Sequence, residues 1–196
     1  MKLLRIDSSP RTTGSHSKDL ADMVEDKFKA ENLNLETIHY DLSAKELPHI
    51  SQAYIEATFV PKPERTATMN NTLLLADGYI KDIQNADTVL ISVPMYNFTI
   101  PSTLKAYIDY ISRSEETFRF LENGIEGLLL GKKLVIVAAY GADFSQMRVM
   151  DFVEPYLKTV FGFLGFTDIT YIAIENTSQE STDVLHDKKI ALVNNI

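Results

Sequence analysis

The chain has 196 residues, 45% hydrophobic and 23% charged, with 27 acidic against 19 basic side chains and a net charge of −8. That length suits one domain over residues 1–196 with a single core, and the acidic balance excludes a nucleic-acid surface, which needs clustered Lys and Arg. With no cysteine there is no disulfide, thiolate metal site or thiol nucleophile, and this removes the low-molecular-weight phosphatases, whose similar α/β layout needs a catalytic thiol. The histidines at 16, 39, 49 and 186 lack ligand spacing, so no metal site is expected. No apolar run approaches the roughly 20 residues that span a bilayer. No secretory h-region opens the chain, so a cytoplasmic protein without a membrane partner is expected.

In chain order, Lys2–Ile6 reads as a short apolar strand that breaks at the turn cluster Asp7-Ser8-Ser9-Pro10. Hydroxyls around Ser15 and Ser17 then open a helix with the stripe Leu20, Val24 and Phe28, and Asn32–Asn34 ends it. Leu35–Tyr40 is a second strand. Residues 41–68, with prolines at 48, 61 and 63, read as a loop with one short helix near Ser51–Ala57. A helix over Met69–Ile83 turns Leu73, Ala76 and Ile80 inward. It precedes the buried strand Thr88–Val93 and the loop Pro94-Met95-Tyr96-Asn97-Phe98. Another helix starts near Ser102 with the stripe Leu104, Tyr107, Ile108 and Ile111. Thr117–Phe120 and the glycine-bearing Glu122–Gly131 form an inserted hairpin. Leu134–Ala139 is apolar throughout, as in a parallel strand buried on both faces. A helix from about Val149 to Leu164 stops at Gly165, Asp168–Ile174 is the fifth strand, and Thr182–Asn194 the last helix.

Five strands alternating with helices predict an α/β three-layer sandwich: a doubly wound, five-stranded parallel sheet in the flavodoxin-like order 2-1-3-4-5, with helices on both faces. Ligands bind such sheets beyond the carboxyl ends of the first and third strands. Two loops with opposite chemistry meet there. Ser8, Ser9, Thr12, Thr13, Ser15 and Ser17 precede a helix start, where free N–H groups and the dipole favour a phosphate; plain helix capping explains the same hydroxyls. Tyr96 and Phe98 around Asn97 suit a flat heterocycle such as a flavin, or they plug the top of the core. Gly141, behind the fourth strand, permits close backbone approach from a third loop. Neither the Rossmann G-x-G-x-x-G nor a P-loop pattern is present.

Several motifs together resemble the FMN-dependent NADH azoreductases, also described as FMN-dependent NADH:quinone oxidoreductases. They are Ser9, Ser15-His16-Ser17, Pro94–Phe98, Thr117-Phe118-Arg119-Phe120, Glu122-Asn123-Gly124, Glu126-Gly127-Leu128 with Gly131-Lys132-Lys133, and Pro155-Tyr156-Leu157 with Gly162-Phe163-Leu164-Gly165. The resemblance runs nearly end to end. It implies a homodimer with one non-covalent FMN per subunit near the interface and NADH as electron donor. Ser9, Ser15, His16 and Ser17 would hold the phosphate and ribityl end. Met95, Tyr96, Asn97 and Phe98 would line the isoalloxazine, with Ala139, Tyr140, Gly141 and Ala142 closing the other side, and Phe120 and Phe163 would border the substrate space. The chain departs from the family's common pattern at Ala139–Ala142, where a hydroxyl residue and paired glycines are frequent. It departs again at His16, where glutamine is common.

The implied reaction is a ping-pong two-electron transfer from NADH through FMN to quinones, or in two rounds to an azo bond, giving two aromatic amines. The cofactor carries that chemistry, so no side chain is assigned as catalytic. Two other readings fit parts of the pattern. A flavodoxin-type carrier would serve a protein redox partner, for which an acidic surface is suited. A receiver-like or structural α/β domain would use the crevice for contacts, although Asp7 alone is a poor match to an acidic receiver cluster.

Overall fold

A computed structural model describes residues 1–44 and 47–196. Among these described residues seven strands form: β1 (Lys2–Asp7), β2 (Glu36–Asp41), β3 (Thr88–Pro94), β4 (Phe118–Leu121), β5 (Gly124–Gly127), β6 (Lys133–Ala139) and β7 (Asp168–Ile174). Six α-helices accompany them: α1 (His16–Glu31), α2 (Gln52–Phe59), α3 (Ala67–Asn85), α4 (Ser102–Ile111), α5 (Val153–Leu164) and α6 (Thr182–Asn194). Five strands build one parallel sheet in the order β2-β1-β3-β6-β7, which is the predicted 2-1-3-4-5 arrangement, and β4 and β5 form a separate antiparallel hairpin.

The sheet separates two apolar layers because side chains alternate along each strand. Leu4, Ile6, Val89, Ile91, Leu134 and Ile136 pack with α2 to α5, whereas Leu3, Leu90, Val135 and Val137 pack with α1 and α6. The central strand β3 is buried at every position. The helical stripes fall as the 3.6-residue period requires: Leu20, Val24 and Phe28 on α1, and Leu104, Tyr107, Ile108 and Ile111 on α4, are all buried.

Three boundaries differ from the sequence reading. The stretch 41–68 holds α2, capped by the Ser51 hydroxyl, and a short 3-10 turn over Lys62–Glu64; Lys45 and Glu46, also read as loop, lie outside the described residues. Helix α3 begins at Ala67 because the Thr66 side chain accepts the Met69 N–H. Helix α5 begins at Val153, not near Val149. The apolar pair at 149 and 150 belongs to a separate 3-10 turn, and the Asp151 carboxylate takes the amides of Val153 and Glu154.

Candidate functional site

Three loops leave the carboxyl edge of the sheet side by side, and backbone hydrogen bonds lock them together. Ser8 N–H donates to the Ser92 carbonyl at 3.1 Å, joining the exits of β1 and β3, and Met95 N–H donates to the Ala139 carbonyl at 2.9 Å, joining β3 to β6. The parallel order therefore brings Ser9 and Ser15–Ser17, Met95–Phe98, and Ala139–Ala142 to one edge. Beside the second loop lies a cavity of about 650 Å³, lined in part by Pro10, Tyr96, Asn97, Thr103 and Tyr156.

The first loop ends at a helix start left open. Ser51, Thr66 and Ser181 each cap their helices with a side-chain oxygen. Ser15 occupies the same position on α1 but makes no capping bond; its hydroxyl lies 3.4 Å from that of Ser17 instead. The N–H groups of His16, Ser17 and Lys18 have no acceptor among the described residues. Around this end the side chains of Ser9, Ser15 and Ser17 are buried, and His16 Nδ1 is buried without a partner. Free amides at the positive end of a helix dipole, ringed by buried hydroxyls, fit a phosphate.

Two of the cations near that end, Lys18 and Lys189, are already paired with carboxylates. Lys18 Nζ sits 2.8 Å from Asp41. Burial would raise the Asp41 carboxyl, but Lys18 and the Ser43 hydroxyl and amide outweigh it and pull it down to about 2. His16 is held below its ordinary value by burial and by the cations Lys189 and Arg11, against an opposing pull from Asp19, so its ring is neutral at pH 7. Beneath the loop, buried Arg5 pairs with Asp7 at 2.9 Å and with Glu25 at 2.9 Å. Asp7 also meets His39 Nε2 at 2.8 Å and accepts the Ser92 hydroxyl at 2.7 Å. Burial alone would raise Asp7; bonds from His39, Arg5 and Ser92 hold it below the usual carboxylate range. The sequence reading missed this network, because an Arg at one strand position and its carboxylates 2 and 20 residues away show no period.

The second loop is a two-residue hairpin turn. Tyr96 and Thr99 exchange backbone bonds of 2.9 and 3.1 Å, and Asn97 and Phe98 between them adopt φ values of 49° and 71°. Both central residues in the left-handed region is the type I′ geometry, costly for an aromatic residue. It leaves the Asn97 and Phe98 amides without acceptors among the described residues. Tyr96 and Phe98 are 37% and 43% exposed, so neither fills the core. Met95 is half-buried behind them.

In the third loop the Tyr140 side chain is fully buried. Its hydroxyl donates to Asp151 Oδ2 at 2.8 Å and also meets the Tyr171 hydroxyl. Its own amide and carbonyl are bonded to Ile174 and Thr177, whereas Gly141 and Ala142 keep amides without acceptors among the described residues. A Cβ on Gly141 would sit 2.9 Å from the Ser178 hydroxyl, so the glycine permits the loop to pack there. The ring of Tyr140 does not border the cavity, and any contact at this loop falls to Gly141 and Ala142.

Phe120 and Phe163 lie elsewhere. Helices α4 and α5 run back against the strands, so their ends, and the hairpin between α4 and β6, sit at the amino edge of the sheet. Gln84, near the end of α3, donates to the Glu116 carbonyl at 2.8 Å, and Leu129 N–H donates to the Leu164 carbonyl at 2.9 Å. Phe118 joins Phe120 and Phe163 in one aromatic cluster, with ring centroids 5.6 and 4.6 Å away. Within one chain, this cluster is at the far edge from the three loops. Among the described residues no set of three His, Asp or Glu side chains gathers as metal ligands, and no helix is long and apolar enough to cross a membrane.

A family model described as the flavodoxin-like fold matches residues 1–194. The FMN-dependent NADH:quinone oxidoreductase of Hydrogenovibrio crunogenus is 46% identical over 172 residues, 87% of this chain and 85% of that protein. FMN-dependent NADH:quinone oxidoreductase 1 of Hahella chejuensis is 39% identical, over 95% of this chain and 90% of its own. Among solved structures, an azoreductase from Bacillus anthracis str. Sterne superposes with a TM-score of 0.88 at 27% identity, covering 99% of this chain and 95% of that one. An FMN-dependent NADH-azoreductase from Bacillus anthracis str. Ames Ancestor, in complex with FMN, gives a TM-score of 0.88 at 25% identity, covering 99% and 96%. An open helix start beside an aromatic turn is thus found on a chain whose relatives carry the same name from one end to the other, and the protein belongs to the FMN-dependent NADH:quinone oxidoreductase and azoreductase family of oxidoreductases.

Proposed function

We propose that this protein is an FMN-dependent NADH:quinone oxidoreductase that also cleaves azo compounds reductively, by a ping-pong cycle in which donor and acceptor use the same site in turn. The observation that carries the reading is the uncapped start of α1 next to the half-exposed Tyr96–Phe98 turn, two features that one FMN would satisfy at its two ends. Bound there, FMN would supply two-electron redox chemistry between NADH and a quinone, or in two rounds an azo bond.

The chain's own residues bind, orient and shield. Ser9, Ser15, Ser17 and the first amides of α1 hold the phosphate; neutral His16 presents a polar nitrogen that adds no charge of its own. Tyr96 and Phe98 offer apolar faces to a flat ring, and Met95 backs them. The free amides of Asn97, Phe98, Gly141 and Ala142 are donors for a polar ring edge, where fixed dipoles stabilise developing negative charge without reorganising. No side chain acts as a covalent or acid–base catalyst.

We infer a homodimer in which the aromatic hairpin of one subunit borders the crevice of the other. In support, Phe120 is 67% exposed, with Leu121 and Ile125 exposed beside it, and the cluster lies too far along the sheet to serve its own chain. We assign the protein to the cytoplasm. The test is steady-state turnover of FMN-reconstituted protein with NADH and with NADPH, against a quinone and an azo dye. Rapid anaerobic bleaching of the yellow protein by NADH is expected. A yellow protein that NADH leaves untouched would instead identify an electron carrier.

A further inference from the structure

Asp151 lies outside the three segments described above, yet its carboxylate holds Tyr140 of the third loop and its neighbour Phe152 holds the second. It is 5% exposed. One oxygen, Oδ2, accepts the Tyr140 hydroxyl at 2.8 Å, and Tyr140 in turn meets the Tyr171 hydroxyl on β7. The other, Oδ1, accepts the first amides of α5, Val153 at 2.9 Å and Glu154 at 3.4 Å. Arg148 Nη1 is 3.8 Å away, too long for more than weak support. The next residue, Phe152, then donates its N–H to the carbonyl of Phe98 at 3.0 Å. An unbroken series of contacts therefore runs from β7 through Tyr140 and Asp151 to the turn at Asn97–Phe98.

That turn needs an external hold. A bulky residue at a φ of 71° persists only where its surroundings over-determine it. The Tyr96–Thr99 pair fixes its base, and Phe152 N–H is the contact on the Phe98 carbonyl. Burial pushes the Tyr140 hydroxyl up, with Asp151 adding to the effect and Tyr171 opposing it, so the tyrosine stays a donor to the carboxylate.

We propose that Asp151 is a positioning residue, which through Tyr140 and the first turn of α5 holds the Asn97–Phe98 turn in the conformation that presents its two free amides to the bound flavin. The proposal rests on the FMN reading above. Asp151→Ser separates the two roles of the carboxylate, because serine still caps a helix but offers no second oxygen to Tyr140. Relative to wild type, Asp151→Ala and Asp151→Ser are both expected to bind FMN about tenfold more weakly, ~1.4 kcal/mol, and to displace the reduction potential of the bound flavin in the same direction. Asp151→Ser should recover most of the melting temperature that Asp151→Ala loses. Tyr140→Phe should move the potential the same way by a smaller step. Wild-type potential and FMN affinity in Asp151→Ser would overturn the proposal, as would a loss confined to melting temperature. If Asp151→Ala does not fold, the serine and phenylalanine variants decide. Amide exchange at Asn97 and Phe98 in FMN-free protein gives an independent readout. It should quicken in Asp151→Ser, and unchanged exchange would count against positioning even if wild type itself failed to take up FMN, an outcome that sinks only the cofactor reading.

Discussion

Phe98 shows most plainly what the site costs the fold. Its left-handed backbone is paid in stability of order 1–3 kcal/mol, and at 43% exposure its ring regains little of that from burial. Glycine adopts the same conformation without the Cβ conflict. Phe98→Gly is therefore expected to raise the stability of the FMN-free protein by up to about 1 kcal/mol while weakening FMN binding. Thermal unfolding and fluorescence quenching of FMN measure the two effects, and a variant that loses more than the ~1 kcal/mol that glycine adds to the entropy of the unfolded chain would show that the turn is unstrained. At the opposite end of the proposed cofactor, Ser17→Ala should weaken FMN binding without altering the melting temperature of the apoprotein, because among the described residues the Ser17 hydroxyl has only Ser15 as a partner.

The hairpin β4–β5 is held to α5 by two glycines in direct contact. A Cβ on Gly127 would lie 2.2 Å from the Gly165 nitrogen, and Gly165 has a φ of 112° at the end of α5. Backbone this close cannot shift cheaply, so Gly127→Ala should displace the hairpin and with it Phe118 and Phe120. If that hairpin borders the partner's crevice, the variant keeps its FMN affinity and loses quinone turnover; loss of FMN affinity instead would place the hairpin's effect on the cofactor itself. Gly165 was legible in the sequence as a helix stop, whereas Gly127 read only as one glycine of the inserted hairpin and of a family motif, since close approach between segments 38 residues apart leaves no local pattern. The same contrast holds across the molecule. Helical stripes could be read because a period of 3.6 is written locally, buried strands because their apolar runs are continuous, and the sheet order because strands and helices alternate along the chain. The start of α5 could not, because Val149 and Met150 continue the apolar pattern, and only the capping bonds of Asp151 reveal where the helix begins. At the site, the residues of the first two loops were legible as turn hydroxyls and aromatics; that Tyr140 would face inward to Tyr171 and Asp151 was not, since its partners lie 31 and 11 residues away.

At the scale of the whole molecule, stability in acid should depend on the buried cluster under the first loop. Arg5 holds Asp7 and Glu25 together, and both carboxyls titrate below their ordinary values of 3.8 and 4.5 once their hydrogen bonds have outweighed burial. For carboxyls depressed in the folded state, the stabilisation is fully present above those ordinary values and is lost as pH falls through the lower folded ones. The melting temperature should therefore fall steeply below about pH 4, and Asp7→Asn should flatten that fall. Arg5→Met leaves Asp7 with only His39 and Ser92, and Glu25 with Lys29 and Thr37, and should cost about 3 kcal/mol near neutral pH, read by urea unfolding. The open start of α1 links stability to something else. Three amides that no side chain among the described residues caps leave the first turn of that helix open to an incoming anion. FMN at a hundredfold excess over its Kd would add ~2.7 kcal/mol, and protection of the His16–Lys18 amides against exchange should rise with it. Supply of the vitamin-derived nucleotide would then govern how long each newly made copy resists unfolding and proteolysis, so that the abundance of the enzyme follows the availability of its own cofactor.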